Sequence, residues 1–434
     1  MGKQLASFRQ RLPAQPSSVG EARRLVRQSL ASAGREDLVE TAELLVSEVV
    51  TNALLHAGTP VDLAVFVADD GLRVEIGDGS PHFPRRPGYA ATAGTGRGLM
   101  LLQQMVDEWG VVPNASGKTV WFQLDSGDRM ATHLAAMDQA VTAATNPQEE
   151  TVEVQLLNVP LLLHAAWQEC AQALLREHLL ANLDVDPGDD TIRLHAEATD
   201  AIALLADCIP RLEIGLHPNR VMKGAIEPQV SCPRVEMQVP IRSLRNFRTL
   251  DLTLEAAIAL ADEDVFLTTP TQPEVRSYRR WLCEQVEQQS NGADPTPWSA
   301  ADEPSRDKRQ AVSWDPTSVT ESAQALIAAD DDNRIIAASQ PLLDLLGYDD
   351  RAQLVGQRIA TIIPARYRQA HVAGFTLHFL TGHSPLLGKV IVVPATRCDG
   401  REVEVEVTVN SHSAPHGRKV FIAELLEPVV EPAC

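Results

Sequence analysis

The chain has 434 residues, with 38 Lys+Arg against 58 Asp+Glu, a net charge of -20 and 44% hydrophobic residues. That length suggests about two to four domains, and the hydrophobic content supports packed cores rather than general disorder. An acidic balance without a basic block argues against a nucleic-acid partner, because such partners are held mainly by counterion release to Lys/Arg clusters.

The charge is uneven: residues 1–130 sum to -2 and the remainder to -18. The near-neutral first part can tolerate a polyanionic small ligand, whereas the rest reads as a solvated acidic surface. No apolar run approaches the ~20 residues that cross a bilayer, and the start MGKQLASFRQRLP lacks the apolar core of a signal peptide. The expectation is a cytoplasmic protein with no membrane association. Cys170, Cys208, Cys232, Cys283, Cys398 and Cys434 are widely spread without a C-x-x-C pair, which favours reduced, mostly buried thiols over disulfides or structural zinc.

Taken in chain order, SVGEARRLVRQSLASAG begins at a Ser cap, carries Leu25, Val26 and Leu30 on one face and stops at Gly34. REDLVETAELLVSEVVTNALLHAG keeps apolar residues at three and four spacing from Leu38 to Leu55 and stops at Gly58, predicting a long amphipathic helix. VDLAVFVAD and GLRVEIGD are strand-like runs joined by Asp69-Asp70-Gly71, a hairpin signal. After a Gly/Pro-rich loop, GLMLLQQMVDEWGV predicts a helix and GKTVWFQLD a closing strand. Helices on one face of an antiparallel sheet follow from this order.

On the long helix, Glu48, Asn52 and His56 are four apart and project from one face. By itself such a line is more often a solvated stripe. Asp78-Gly79 then ends a strand, Arg85 and Arg86 sit in a loop, GTGRG (Gly94, Gly96, Gly98) opens a helix, and Gly117-Lys118-Thr119 starts a strand. Glycines at a helix N-terminus let backbone N–H groups approach phosphate oxygens. The ordered set is far more specific than any one of its members.

On the motifs SEVVTNALLHAG, VEIGDGSP, GTGRGLMLLQQMVDEWG and GKTVWFQL, residues 17–125 resemble the Bergerat-fold ATP-binding domain of histidine kinases and gyrase, and most of all the anti-sigma-factor serine kinases of actinobacteria and bacilli. The resemblance implies an α/β sandwich domain over about 1–130 that binds ATP and Mg²⁺. It implies that Asn52 is the Mg²⁺ ligand, that Asp78 accepts from the adenine amino group beside Gly79, and that Gly94, Gly96 and Gly98 shape the phosphate loop. Thr119 would support the adenine side, and Glu48 takes the position of the general base. Mg²⁺ prefers oxygen ligands, and a carboxylate one turn before such a ligand can take a hydroxyl proton. Arg85, Arg86 or Arg97 could neutralise the γ-phosphate. Where many relatives place another Gly, this chain has Ser80-Pro81-His82, and Pro81, Pro84 and Pro87 make a stiffer lid.

Residues 151–290 carry helical periodicity over about 159–182, 190–208, 240–263 and 272–290, economically a helical bundle. His164, His178 and His195 invite a phosphoacceptor reading, but His195-Ala196-Glu197 lacks the acidic-then-Pro pattern and the ATP domain comes first, so structural histidines are expected. Residues 291–316, rich in Pro, Ser, Asp and Gly, read as an exposed linker. Residues 317–428 resemble a PAS domain through AQALIAADDDNRIIAASQPLLDLLGYDD, RYRQAHVAGFTLHFLTGH and REVEVEVTVN. His371, eleven residues before Gly382, is similar to the proximal ligand of haem-binding PAS sensors, but Ile391 stands where those place a gating Arg. An unliganded interaction module is the expectation there.

The whole is an α+β multidomain chain. The resemblance implies a cytoplasmic signalling and transcription regulator that phosphorylates or binds a STAS anti-anti-sigma or sigma partner under PAS control, with a homodimer through the kinase-like, helical or PAS part. The alternatives are a non-catalytic ATP-binding interaction module and an atypical histidine kinase.

Overall fold

The structure, a computed structural model, describes residues 4–69, 71–80, 105–106, 108–114, 117–125, 150–183, 189–212, 218–263, 265–266, 268, 271–299, 312–382 and 384–428. The first sheet contains β1 (Gln4–Leu12), β2 (Val61–Ala68), β3 (Gly71–Asp78), β4 (Glu108–Asn114) and β5 (Gly117–Asp125), in the order β1-β2-β3-β5-β4. All its pairs are antiparallel. Helices α1 (Ser17–Ser32) and α2 (Val39–Ala57) cover one face. Ala22, Val26 and Leu30 recur every fourth residue, so one stripe of α1 is fully buried. Leu45, Val46, Val49 and Val50 of α2 meet Val65, Val74, Ile76 and Phe122 of the sheet, each large side chain contributing about 1.5–3 kcal/mol. Leu44, within the apolar run of this helix, is 40% exposed.

Two strands of this sheet are not legible in the sequence. β1 pairs with β2 from Gln4↔Ala68 to Leu12↔Val61 and forms one sheet edge. Residues 108–111, expected to finish a helix, belong to strand β4: Trp109 and Val111 pair with Phe122 and Val120. Gly110 permits this, because a Cβ there would lie 2.9 Å from the Trp121 indole nitrogen. The rest of the expected helix lies outside the described residues apart from positions 105–106.

The middle part holds the four expected helices, α3 (Leu161–Leu183), α4 (Asp189–Cys208), α6 (Leu244–Asp262) and α7 (Pro273–Ser290), with a short α5 (Pro218–Gly224). It also holds an unexpected antiparallel ladder of β6 (Thr151–Pro160) with β7 (Ser231–Pro240). Thr151 pairs with Pro240 and Pro160 with Ser231. Each strand ends in Val-Pro (Val159-Pro160, Val239-Pro240) and feeds a helical segment, so the region is a β–α–α unit given twice.

The expected linker is partly structured. Trp298 is buried against Tyr278 and Trp281, and its backbone N–H donates to the Leu157 carbonyl at 2.9 Å. Its apolar ring area outweighs the Pro/Ser/Gly composition around it. Val312 and Trp314 pack with Val319, Ala328 and Val420 of the last domain.

That domain contains α8 (Thr317–Thr320), β8 (Leu326–Asp330), β9 (Ile335–Ala338), α9 (Gln340–Leu346), α10 (Ala365–Thr381), β10 (Val390–Thr396), β11 (Glu402–Ser413) and β12 (Lys419–Leu426). The sheet order is β10-β11-β12-β8-β9. Ser339 caps α9, and Gly347 ends it at φ 76°, a conformation that favours glycine. Leu342, Leu343, Leu346, Leu354, Ile362 and Val405 fill its interior.

The three parts touch. Val372 of α10 belongs to the middle core beside α3, and the Leu162 N–H donates to Gln369 Oε1 at 3.2 Å. Arg358 Nη2 reaches Glu274 Oε2 at 2.8 Å and Gln272 Oε1 at 3.0 Å. On the other side α4 lies against α2: a Cβ on Gly58 would meet the Ala196 methyl at 2.5 Å.

Candidate functional site at the ends of β3 and α2

The best-formed polar site lies where β3 and α2 end and β5 begins. Gly58, at φ 59°, terminates α2 and turns the chain so that Thr59 reaches the sheet. Thr59 Oγ1 accepts the Gly79 N–H at 2.9 Å. Gly79 has no room for a side chain, since a Cβ would lie 2.8 Å from the Thr59 methyl. Gly117 is under the same constraint, at 2.2 Å from the Asp78 carbonyl oxygen.

Asp78 is buried at the centre. Its Oδ1 accepts from the Ser80 N–H and from Lys118 Nζ, both at 2.9 Å, and the Asp78 and Lys118 side chains are only 2% and 6% exposed. Lys118 Nζ also donates to the Ser80 carbonyl at 3.3 Å. Burial pushes the Asp78 carboxyl up, and the Lys118 ammonium pulls it back down. Removing one partner of such a buried pair costs about 3–5 kcal/mol, because the other charge is left uncompensated.

The pleat decides which residue of Gly117-Lys118-Thr119 serves Asp78. Asp78 pairs directly with Lys118, and Gly77 with Thr119. Directly opposed residues share a sheet face and successive ones alternate, so Thr119 is turned away from Asp78. Thr119 Oγ1 accepts from Asn114 Nδ2 at 3.0 Å instead. Sequence reasoning chose the hydroxyl residue and passed over Lys118. The pairing register, which carries the signal, is not written in the motif.

Glu48 and Asn52 sit half-buried on one flank of α2, beside the buried Leu45 and Val49. Neither side chain makes a hydrogen bond among the described residues, and both hydrogen bonds to Asp78 from those residues fall on Oδ1. A carboxylate oxygen able to accept an amine, a free carboxamide and a carboxylate one turn away fit a purine base and a metal-bound phosphate chain. Gly94, Gly96 and Gly98, with Arg85, Arg86 and Arg97, lie outside the described residues.

Other expected positions are structural. His164 is buried, its Nδ1 3.0 Å from Tyr278 Oη, and burial pushes its pKa down to about 3, which suits a core histidine rather than a phosphoacceptor. His371 Nε2 is 3.0 Å from Asn333 Oδ1, with its pKa lowered to about 4 by burial and then by the Arg358 charge. That nitrogen is engaged by Asn333 and the ring lies beside Phe375, so the histidine has the setting of a structural residue rather than a haem ligand. Of the thiols among the described residues, Cys170 and Cys283 are buried and Cys398 is exposed, and none of the three is in a disulfide. Among the described residues no cluster of three or more His/Cys/Asp/Glu is arranged to hold a metal ion, and no helix is long and apolar enough to cross a membrane.

Comparison with known proteins agrees with this anatomy. Residues 12–124 match the family model of the histidine kinase-like ATPase domain, and residues 319–426 match that of the PAS fold. An uncharacterized protein of Azorhizobium caulinodans is 33% identical over 102 residues, covering 24% of this chain and 14% of that protein. This chain therefore spans only a small part of that relative. Among solved structures, the PAS domain of an HTR-like protein from Haloarcula marismortui is 21% identical, covering 26% of this chain and 88% of that one at a TM-score of 0.21. A LOV protein of Rhodobacter sphaeroides is 16% identical, covering 27% and 67% at a TM-score of 0.22.

Proposed function

For a chain that joins a histidine kinase-like ATPase domain to a C-terminal PAS domain, we propose an ATP- and Mg²⁺-binding regulator. It phosphorylates a serine on a STAS anti-anti-sigma partner, or holds a sigma factor, under PAS control. The observation that carries the nucleotide half is Asp78, buried at the end of β3 with Oδ2 accepting no hydrogen bond among the described residues. An uncommitted carboxylate oxygen on a buried side chain can take an amine donor such as the exocyclic group of adenine.

In this reading Asn52 contributes a carbonyl oxygen to Mg²⁺, which supplies charge neutralisation to the phosphates. Glu48 removes the proton from the partner serine. The serine oxygen takes the terminal phosphoryl group as its bond to ADP breaks. Contact of α10 with α3 and of α4 with α2 supports PAS control, since the helix carrying Glu48 and Asn52 is packed against the part that holds the PAS domain.

The test is incubation of the full chain with γ-labelled ATP and Mg²⁺, alone and with candidate STAS proteins, beside Glu48→Ala. Acid-stable label on a partner serine that disappears in Glu48→Ala supports kinase action. Bound ATP with no labelled protein leaves a nucleotide-dependent interaction module. Acid-labile label on the chain itself replaces both with a histidine kinase.

A further inference from the structure

Lys118 is the polar residue of the site that no motif assigns a task. An ammonium has three donors. Among the described residues Lys118 spends them on Asp78 Oδ1 at 2.9 Å and the Ser80 carbonyl at 3.3 Å, which leaves one. Asp78 in turn keeps Oδ2 uncommitted among those residues. The ion pair therefore leaves one acceptor and one donor uncommitted among those residues, on adjacent groups at the end of β3. The buried backbone fixes both: Gly117 passes too close to the Asp78 carbonyl to allow a side chain, Gly79 is held against Thr59, and Lys118 is the direct cross-strand partner of Asp78.

We propose that Lys118 is a second base-reading residue. Asp78 Oδ2 accepts from the exocyclic amine of adenine, and the remaining Lys118 N–H donates to the adjacent ring nitrogen, N1. The inference rests on the assignment of this site to ATP and deepens it. Acceptor beside donor matches the edge of adenine, whose amine donates and whose N1 accepts. With the same placement, guanine would set its 6-oxo group against the carboxylate and its N1–H against the ammonium, an acceptor on an acceptor and a donor on a donor. Lys118 thus supplies discrimination that a lone carboxylate does not, because a mismatched base leaves both buried groups unpaired.

The experiment is titration calorimetry of the full chain with the Mg²⁺ complexes of ATP, GTP, 1-deaza-ATP, which lacks N1, and purine riboside triphosphate, which lacks the amine. For the wild-type chain each of the last three is expected to bind roughly ten- to hundredfold more weakly than ATP, the worth of a hydrogen bond to a charged group. In Lys118→Met, ATP should weaken to about the level of 1-deaza-ATP and the two should become equal, while the loss caused by removing the amine persists. Equal affinity of the wild-type chain for ATP and 1-deaza-ATP overturns the proposal, and this arm needs no variant to fold. Retained N1 discrimination in Lys118→Met also overturns it. No ATP binding by the wild-type chain overturns the nucleotide assignment and this proposal together, whereas ATP binding weakened by Asp78→Asn but blind to N1 overturns this proposal alone.

Discussion

Thr59 Oγ1 accepts the Gly79 N–H at 2.9 Å, so one hydrogen bond fastens the exit of α2 to the exit of β3. The two elements carry different parts of the site: Glu48 and Asn52 on the helix, Asp78 on the strand. Their relative position depends on that hydroxyl. Thr59→Val keeps the shape and strands the Gly79 donor. We expect a loss of about 1–3 kcal/mol in unfolding free energy with ATP affinity reduced several-fold, read by urea denaturation and calorimetry. Unchanged affinity would show that the two exits are positioned by other contacts.

Gly117 faces a harder limit. A Cβ would lie 2.2 Å from the Asp78 carbonyl oxygen, a backbone atom that has no rotamer to escape into. Gly117→Ala should therefore part β3 from β5 at their ends and destabilise the domain by about 1–3 kcal/mol or more. Thermal unfolding of Gly117→Ala beside Gly374→Ala, where no neighbour lies within 4 Å of the new methyl and φ is not positive, separates the steric effect from the general effect of replacing a glycine.

At the contact between the middle part and the PAS domain, Arg358 reaches Glu274 at 2.8 Å, with side chains 18% and 26% exposed. Charge reversal by Arg358→Glu should lower stability by about 1 kcal/mol, and Glu274→Arg in the same chain should restore most of it. A double-mutant cycle on urea midpoints gives the coupling. Additive effects would mean that the pair does not fasten the two parts.

The pH dependence has a definite sign. His164 has its pKa lowered from 6.5 to about 3 by burial. Above pH 6.5 it is neutral in both states and costs nothing. As pH falls from 6.5 towards 3 the unfolded chain takes up a proton that the folded chain refuses, and stability is lost across that window, on the order of 2 kcal/mol by pH 5. Asp330, pushed up to about 6 by burial, acts in the opposite sense: the folded state takes its proton first as pH falls from 6 to 3.8. The clean readout is the difference between wild type and His164→Phe. The variant should lose distinctly less stability between pH 7 and pH 5, and parallel curves would contradict the assignment.

The sequence was most readable where chemistry and spacing coincide. Leu45, Val49 and Leu54 announce the buried face of α2, and Asp78-Gly79 announces a strand end because a buried carboxylate beside a constrained turn has few other uses. It was least readable where pairing partners decide. QLASFRQRL alternates only weakly, since edge strand β1 buries little, and Gly110 and Pro113 disguise β4. In VEVQLLNVP the strand runs straight into a helix, and the helical period of the longer element masked it. Thr119 and Lys118 differ by one position, the smallest shift that exchanges the two faces of a strand, and only the register tells which of them faces Asp78.

The ladder of β6 with β7 carries a consequence of its own. The start of each strand faces the end of the other, and each runs through Val-Pro into a helical segment. Two identical chains related by a two-fold axis would pair in the same way. Neither half of the middle region can satisfy its strand alone, so each is an obligate complement of the other, like the subunits of a dimer written into one polypeptide. Separated at the join and mixed, the halves should find each other, and either by itself should seek a second copy.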